Sequence, residues 1–191
     1  MTKTKMFWTF CALLFVIGLA GSGESTFAQD RFAIGAQLAV HDLPEFSETH
    51  IGYGFRFTYA AYLPFLSFDS EINSFPTSST GNLGETQVFF GLKAGLRVRR
   101  WGVFAKARPG FINFGGGANP QRLTSATDFA LDLGGGVEYY FLPHVGLRVD
   151  LGDIGTFFGG GQLLAGPGSP IGAPLHTQHS LQSTAGIVLT F

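Results

Sequence analysis

The last twelve residues, Ser180-Leu-Gln-Ser-Thr-Ala-Gly-Ile-Val-Leu-Thr-Phe191, decide the fold through their alternation. Every second position from Leu181 to Phe191 is apolar or small, whereas the positions between them carry mostly Gln, Thr and Gly. Because successive side chains of a β-strand point to opposite faces, the segment is predicted to be an amphipathic strand. One face of this strand is therefore largely apolar.

Seven segments upstream show the same alternation, so the sequence predicts eight strands. Their apolar faces include the rows Ile51, Tyr53, Phe55, Phe57, Tyr59 and Val145, Leu147, Val149, Leu151. Glycine, small polar residues and nearly all of the charged side chains occupy the opposite faces. Alternation alone does not say which face points inward, and a soluble lipocalin-like barrel would bury the apolar one.

The composition favours the apolar face as the outer one. Charged residues make up 13% of the chain, against about 25% in typical globular domains, and Gly accounts for 28 of 191 residues. This is too little charge for a surface in water. A face of glycines and isolated charges suits a narrow barrel interior, and lipid contact excludes charge from the other face.

The predicted connections alternate between long and short along the chain. Long segments follow the odd strands, at 41–50, 73–84, 113–127 and 152–179, and short ones follow the even strands, at 63–64, 99–100 and 142–144. Outer-membrane barrels join their strands by short periplasmic turns and longer extracellular loops. The fold class predicted is therefore all-β, an eight-stranded antiparallel up-and-down transmembrane β-barrel with both termini in the periplasm.

Aromatic residues cluster at the two predicted membrane boundaries, as they do at membrane–water interfaces. The periplasmic girdle is predicted to contain Tyr59, Tyr62, Phe65, Trp101, Tyr139, Tyr140, Phe141 and Phe191. A second, weaker group toward the outer rim comprises Phe111, Phe114, Phe129, Phe157 and Phe158.

The N-terminus has the pattern of a secretory signal peptide. Lys3 and Lys5 precede an apolar run, and a polar stretch then ends in Thr26-Phe27-Ala28. We expect cleavage after Ala28, which divides the chain into a signal peptide at 1–28 and one barrel domain at 29–191. The single cysteine, Cys11, lies in the leader, so no disulfide is expected in the mature protein.

Topology, face parity, girdle and closing strand together resemble the small OmpA/OmpX-like outer-membrane β-barrels. The stretches 131–140 and 145–151, LDLGGGVEYY and VGLRVDL, look like the penultimate strand pair of such proteins. The resemblance implies the cell outer membrane as location, outer-membrane lipid as surroundings and a monomeric protein, with one chain per barrel. It also implies assembly by the barrel assembly machinery and periplasmic chaperones, with Phe191 as assembly signal.

The lumen of an eight-stranded barrel is about wide enough for side chains to fill it. The charged residues predicted to face it are Arg56, Asp69, Glu71, Lys93, Arg97, Lys106, Arg108, Asp132, Glu138, Arg148 and Asp150. A nearly balanced set predicts mutual ion pairing and a structural or surface-interaction role. The alternative is a small pore, or a transporter of small or apolar compounds with an apolar cap in segment 152–179.

Catalysis is the less favoured alternative, although some eight-stranded barrels modify lipid A. His41, His50, His176 and His179 all fall in predicted loops, and adjacent His179 and Ser180 would lie on opposite strand faces. We therefore expect no enzyme, no catalytic residues, no metal site and no cofactor. A net charge of −1 also gives no reason to expect a nucleic-acid partner.

Overall fold

The computed structural model describes residues 31–43, 48–61, 63, 65–76, 84–115, 126–158 and 176–191. These residues form a closed antiparallel barrel in which each strand pairs with the next and β1 pairs with β8. The strands are β1 (Phe32–Leu43), β2 (Glu48–Ala60), β3 (Leu66–Phe75), β4 (Gly84–Val98), β5 (Trp101–Gly115), β6 (Ala126–Leu142), β7 (Val145–Phe158) and β8 (His176–Thr190). The predicted eight-stranded up-and-down fold is confirmed, whereas the predicted signal peptide lies outside the described residues.

The first and last strands, β1 and β8, pair with each other and close the barrel. β1 and β8 pair in register from Ala33 opposite Thr190 to Asp42 opposite Leu181. Beyond the ladder, the Phe32 amide donates to the Phe191 carbonyl at 3.2 Å, and the Phe191 amide donates to the Phe32 carbonyl at 2.8 Å. Closure leaves no strand edge with unpaired backbone groups.

Two of the connections at one end of the barrel are two-residue turns. Arg99 and Arg100 join β4 to β5, and Pro143 and His144 join β6 to β7. Arg99 has a φ of 56°, the left-handed conformation that tight hairpin turns use. We call this end, which also holds the β2–β3 connection, the short-turn end and the opposite one the long-connection end.

The outer wall is apolar from strand to strand, as predicted. Leu38 is 65% exposed and Ile51 is 70% exposed, and every other residue along these strands points outward in the same way. All described Lys and Arg side chains of the strands lie on the inner face, whereas Asp42 and Asp153 face outward near the long-connection end. The part of the chain that the structure describes contains no helix able to cross a membrane.

Aromatic rings form contacts around the outside near both ends. At the short-turn end, the rings of Trp101 and Tyr139 lie 4.7 Å apart, and at the long-connection end those of Phe129 and Phe157 lie 5.7 Å apart. The predicted outward position was wrong for two aromatic residues. Tyr140 and Phe114 point into the lumen and are 6% and 8% exposed. Of the others, Tyr62 and the side chain of Phe158 lie outside the described residues.

The strands reach further into the long-connection end than hydrophobic alternation predicted. His41, His50, His176 and His179 lie on strands, not in loops. Antiparallel pairing continues there because the backbone ladder does not need apolar side chains, as the opposed pair His41 and His50 shows. The prediction of loop histidines was therefore wrong, and two of these residues enter the lumen.

Leu92 tests the orientation of the wall. This side chain lies in the middle of β4 and is 47% exposed on the outer face. Leu92→Arg should lower the free energy of unfolding in lipid vesicles by about 2–4 kcal/mol, because it places a cation against hydrocarbon. The matched variant Leu92→Phe should unfold within about 1 kcal/mol of the wild type, since it stays apolar. Equal losses for the two variants would contradict the outward assignment.

Candidate functional site

The centre of the lumen is crossed by ion pairs between strands that are not neighbours. The guanidinium of Arg56, on β2, donates from Nη1 to Oδ2 of Asp150 on β7 at 2.7 Å. It also pairs with Glu71 on the adjacent β3, and Lys106 on β5 donates to Oδ1 of Asp150 at 2.6 Å. These side chains are at most 6% exposed, so the pairs are shielded from water.

Arg108 on β5 is the most completely buried cation. Its Nη1 lies 2.8 Å from Oδ2 of Asp69 and 2.7 Å from Oε2 of Glu71, and its Nε donates to Oδ2 of Asp132 at 3.0 Å. The side chain is 0% exposed. A guanidinium has five donors in a planar fork, which lets this one residue bind three carboxylates on two strands, β3 and β6.

Toward the short-turn end, Glu138 holds two cations. Lys93 pairs with its Oε1, and Arg148 Nη1 approaches the same oxygen at 3.2 Å. The hydroxyl of Tyr140 donates to the other oxygen at 3.0 Å. The Arg148 guanidinium also lies over the ring of Phe104, at 4.0 Å from the ring centroid. Nε of Arg148 donates to Oδ2 of Asp150 at 3.1 Å, and this hydrogen bond joins the Glu138 cluster to the central ion pairs.

Ten of the eleven charged residues predicted to face the lumen thus form one connected network of five cations and five carboxylates. Its members are Arg56, Lys93, Lys106, Arg108, Arg148, Asp69, Glu71, Asp132, Glu138 and Asp150. Arg97 is also on the inner face, but within the described residues it makes no ion pair. Its guanidinium stacks on Tyr140 at 3.6 Å from the ring centroid, beside the short-turn opening.

Glycine on the inner wall leaves space for the network. A Cβ on Gly152 would lie 2.1 Å from Oδ1 of Asp132 and 3.4 Å from Cε of Lys106. The carboxylate occupies the space that any other residue's side chain would fill. Asp132 could not retreat without disturbing its contact with Arg108, so a glycine is needed at this point of the wall.

A layer of amide side chains lies beside the network toward the long-connection end. Nε2 of Gln37 donates to Oδ1 of Asn73 at 2.8 Å, and Nδ2 of Asn73 donates to Oε1 of Glu71 at 2.6 Å. Gln182 reaches the same Glu71 oxygen at 3.1 Å. These amides extend the hydrogen-bonded interior across three strands, β1, β3 and β8.

A second polar cluster, which sequence reasoning missed, lies beyond the amides. Nδ1 of His41 is 3.0 Å from Oε1 of Glu85, and Nδ1 of His50 is 3.2 Å from Oε2 of the same carboxylate. Nε2 of His41 is 2.7 Å from Oγ of Ser180. In sequence, His41 and His50 are in step with the inward-facing positions of β1 and β2, which was the signal available. The prediction placed both histidines in loops, so this signal was not used.

Apolar side chains fill the rest of the lumen at this end. Five residues form one buried contact cluster: Phe89, Ile112, Phe114, Ala130 and Ile154. Phe75 packs its ring beside those of His41 and His50, with centroid distances of 5.8 and 6.5 Å. The predicted inner face of glycine, small polar and charged residues is therefore incomplete, because it also carries large apolar side chains. In a barrel of eight strands, side chains fill the interior, and apolar ones occupy the part that the polar network does not.

Little open space remains inside the described barrel. One cavity of about 10 Å³ lies between β1, β2 and β8 beside Arg56, which is room for about one water molecule. A recess of about 160 Å³ opens at the short-turn end and is lined by Arg97, Lys93 and Tyr140 among others. No group of three His, Cys, Asp or Glu side chains in the described ranges is arranged to bind a metal ion.

Arg108 and Arg97 form a matched pair for testing the network. Arg108→Met should lower the free energy of unfolding by about 3–5 kcal/mol, because it removes the buried cation that Asp69, Glu71 and Asp132 share and leaves the network with one uncompensated negative charge. Arg97→Met should cost about 1 kcal/mol or less, since it removes the stacking contact on Tyr140 and one long, exposed hydrogen bond to the Arg99 carbonyl. Urea titration of the folded barrel, followed by Trp101 fluorescence, measures both. Similar values for both variants would show that the buried pairs do not stabilise the barrel.

Comparison with solved structures agrees with this geometry. Neisserial surface protein A (NspA) superposes with a TM-score of 0.55 at 13% identity, over 84% of this chain and 96% of that one. The N-terminal β-barrel domain of Pseudomonas aeruginosa OprF superposes with a TM-score of 0.54 at 10% identity, over 83% of this chain and 97% of that one. No protein-family model matches the sequence, and no curated protein matches it.

These likenesses show the fold. The outer surface of the barrel indicates independently that the molecule suits a membrane. The described strands carry an apolar exterior, aromatic rings toward both ends and a charged interior. Such an arrangement is stable in a bilayer and not in water. The chain has the fold of the small eight-stranded outer-membrane β-barrels, and its apolar outer wall fits a bilayer.

Proposed function

We propose that the protein is a closed outer-membrane barrel with a structural or surface-interaction role, which it exerts through the segments at its long-connection end. The observation that carries this proposal is the filled lumen. The contact between Arg56 and Asp150 ties β2 to β7 across the interior, and Arg108 ties β5 to β3. The barrel acts as a rigid support, and recognition takes place outside it.

The same interior argues against the pore alternative. An ion that crosses the lumen needs a continuous polar path, whereas the charged groups here satisfy one another. Phe89, Ile112 and Ile154, each 0% exposed, then occupy part of the cross-section nearer the long-connection end. Hydrophobic constrictions exclude water and ions, so this layer adds a second barrier.

The connections at the long-connection end are the proposed place for a partner to bind. The connections after β1, β3, β5 and β7 include residues 44–47, 77–83, 116–125 and 159–175, which lie outside the described residues. In sequence they are rich in Gly, Pro, Ser, Thr and Asn. Loops held by a rigid scaffold commonly carry binding residues. The NspA structure, which shares the fold, is that of a surface protein, and this supports a role at the cell surface.

The closed wall also supports the proposed surroundings and assembly. Lipid acyl chains match the apolar exterior, and one chain per barrel follows from a seam that leaves no free edge. The barrel assembly machinery and periplasmic chaperones are the proposed assembly partners. Phe191, which is 64% exposed and hydrogen-bonded through its backbone to Phe32, remains the proposed assembly signal.

Planar-bilayer recording tests the closed lumen. The purified wild-type barrel should give no steady single-channel steps in molar KCl, because paired charges and apolar side chains block the lumen. An open porin inserted into the same bilayer serves as the positive control. Insertion of the wild type is checked by its protection from protease in the same lipid. Reproducible, ion-selective steps from inserted wild-type protein would contradict the proposal and favour a pore.

A further inference from the structure

The recess of about 160 Å³ at the short-turn end is large enough to hold a small molecule. Inward-facing side chains of β4, β6 and β8 line it, and residues of the connection between β2 and β3 complete its wall. A protein cavity of about 150 Å³ holds one benzene molecule, so this recess has room for a ligand with a single ring. Because the recess opens at the end of the barrel, a ligand enters it without crossing the lumen.

Arg97 brings a positive charge to this recess that no described carboxylate balances. The ion-pair network is neutral without it, and Glu138, the one described carboxylate that lines the recess, already binds Lys93 and Arg148. Nε of Arg97 donates to the Arg99 carbonyl at 3.4 Å, and the guanidinium is stacked on Tyr140. Its Nη1 and Nη2 have no hydrogen-bond partner among the described residues. This pair of nitrogens is the edge with which a guanidinium binds a carboxylate through two hydrogen bonds.

A hydroxyl group in the wall of the same recess also lacks a partner. Thr190, on β8, is 5% exposed, yet its Oγ1 has no hydrogen-bond partner in the described structure. Its backbone amide donates to the His144 carbonyl at 2.9 Å, which holds the residue in place. Buried hydroxyls normally form hydrogen bonds, so this one is a donor still open to a ligand.

Apolar groups supply much of the remaining wall. Leu63 and Phe65, from the connection between β2 and β3, line the recess and are about half exposed, and Phe104 lines it from β5. Sites for small molecules commonly combine apolar walls with a few polar groups that fix the orientation of the ligand. The recess therefore suits a ligand with one charged end and a small apolar body.

We propose that the recess binds a small organic monocarboxylate of about the size of benzoate, with its carboxylate on Arg97 and hydrogen-bonded to the Thr190 hydroxyl. The single negative charge of the ligand offsets the positive charge of Arg97, and its apolar body packs against Leu63 and Phe65. Short turns of outer-membrane barrels face the periplasm, so the ligand comes from that compartment. This binding site goes beyond the proposed surface role and does not depend on it, because it lies at the opposite end of the barrel.

Benzoate tests the site on the folded full-length barrel in a zwitterionic detergent. Saturation-transfer NMR should show saturable binding with a Kd of about 1 mM or tighter. Arg97→Gln should weaken binding by about tenfold or more, because it removes the charged fork. Arg100→Gln is the matched control: this arginine is exposed on the adjacent turn and does not line the recess, so the Kd should stay within about twofold in buffered salt.

Two further comparisons separate a specific site from general attraction of anions or uptake into detergent. Benzamide has the shape of benzoate without its charge and should bind about tenfold more weakly or less, a comparison that needs no variant. Thr190→Val keeps the shape of the side chain and should weaken benzoate binding by about threefold or more, because it removes the hydroxyl donor. The proposal would be overturned by a folded wild type without saturable binding, by benzamide binding as tightly as benzoate, by equal effects of Arg97→Gln and Arg100→Gln, or by unchanged binding in Thr190→Val.

Discussion

The structure depends on one constraint: the outer wall faces hydrocarbon, so charged side chains in the middle of the spanning strands must lie inside and neutralise one another there. A cation against lipid costs about 2–4 kcal/mol at mid-depth, and an unpaired charge in a narrow lumen is also unfavourable. Five cations and five carboxylates in one network satisfy both conditions. The glycine at position 152 follows from the same constraint, since the Asp132 carboxylate needs its space.

The lumen changes in character from one end to the other. The ion pairs lie centrally and toward the short-turn end, amide side chains follow them, and histidines and apolar residues fill the region beyond. The ionic and amide layers join strands that are not neighbours in the barrel. The cluster of His41, Glu85 and Ser180 lies closer to the long-connection end.

Alternation and loop length were sufficient to predict the strand number, the barrel class and the outward face, because lipid imposes a strict two-residue period. They could not predict which charges pair. Arg56 and Asp150 are 94 residues apart in sequence, and their contact depends on how the strands are staggered around the barrel. The direction of Tyr140 and Phe114 was missed because an aromatic residue suits both a girdle and a filled lumen. His41 and Ser180 were not associated because their contact forms only when β1 and β8 close the seam.

The most direct test of this account is the coupling energy between Arg56 and Asp150, whose contact crosses the lumen between strands that do not pair. A double-mutant cycle with Arg56→Gln, Asp150→Asn and the double variant isolates that contact from the effects of each residue alone. The free energies of unfolding, measured in lipid vesicles, should give a favourable coupling of about 1 kcal/mol or more. Additive losses, with no coupling, would show that the interior is not held together by these pairs and would contradict the central claim.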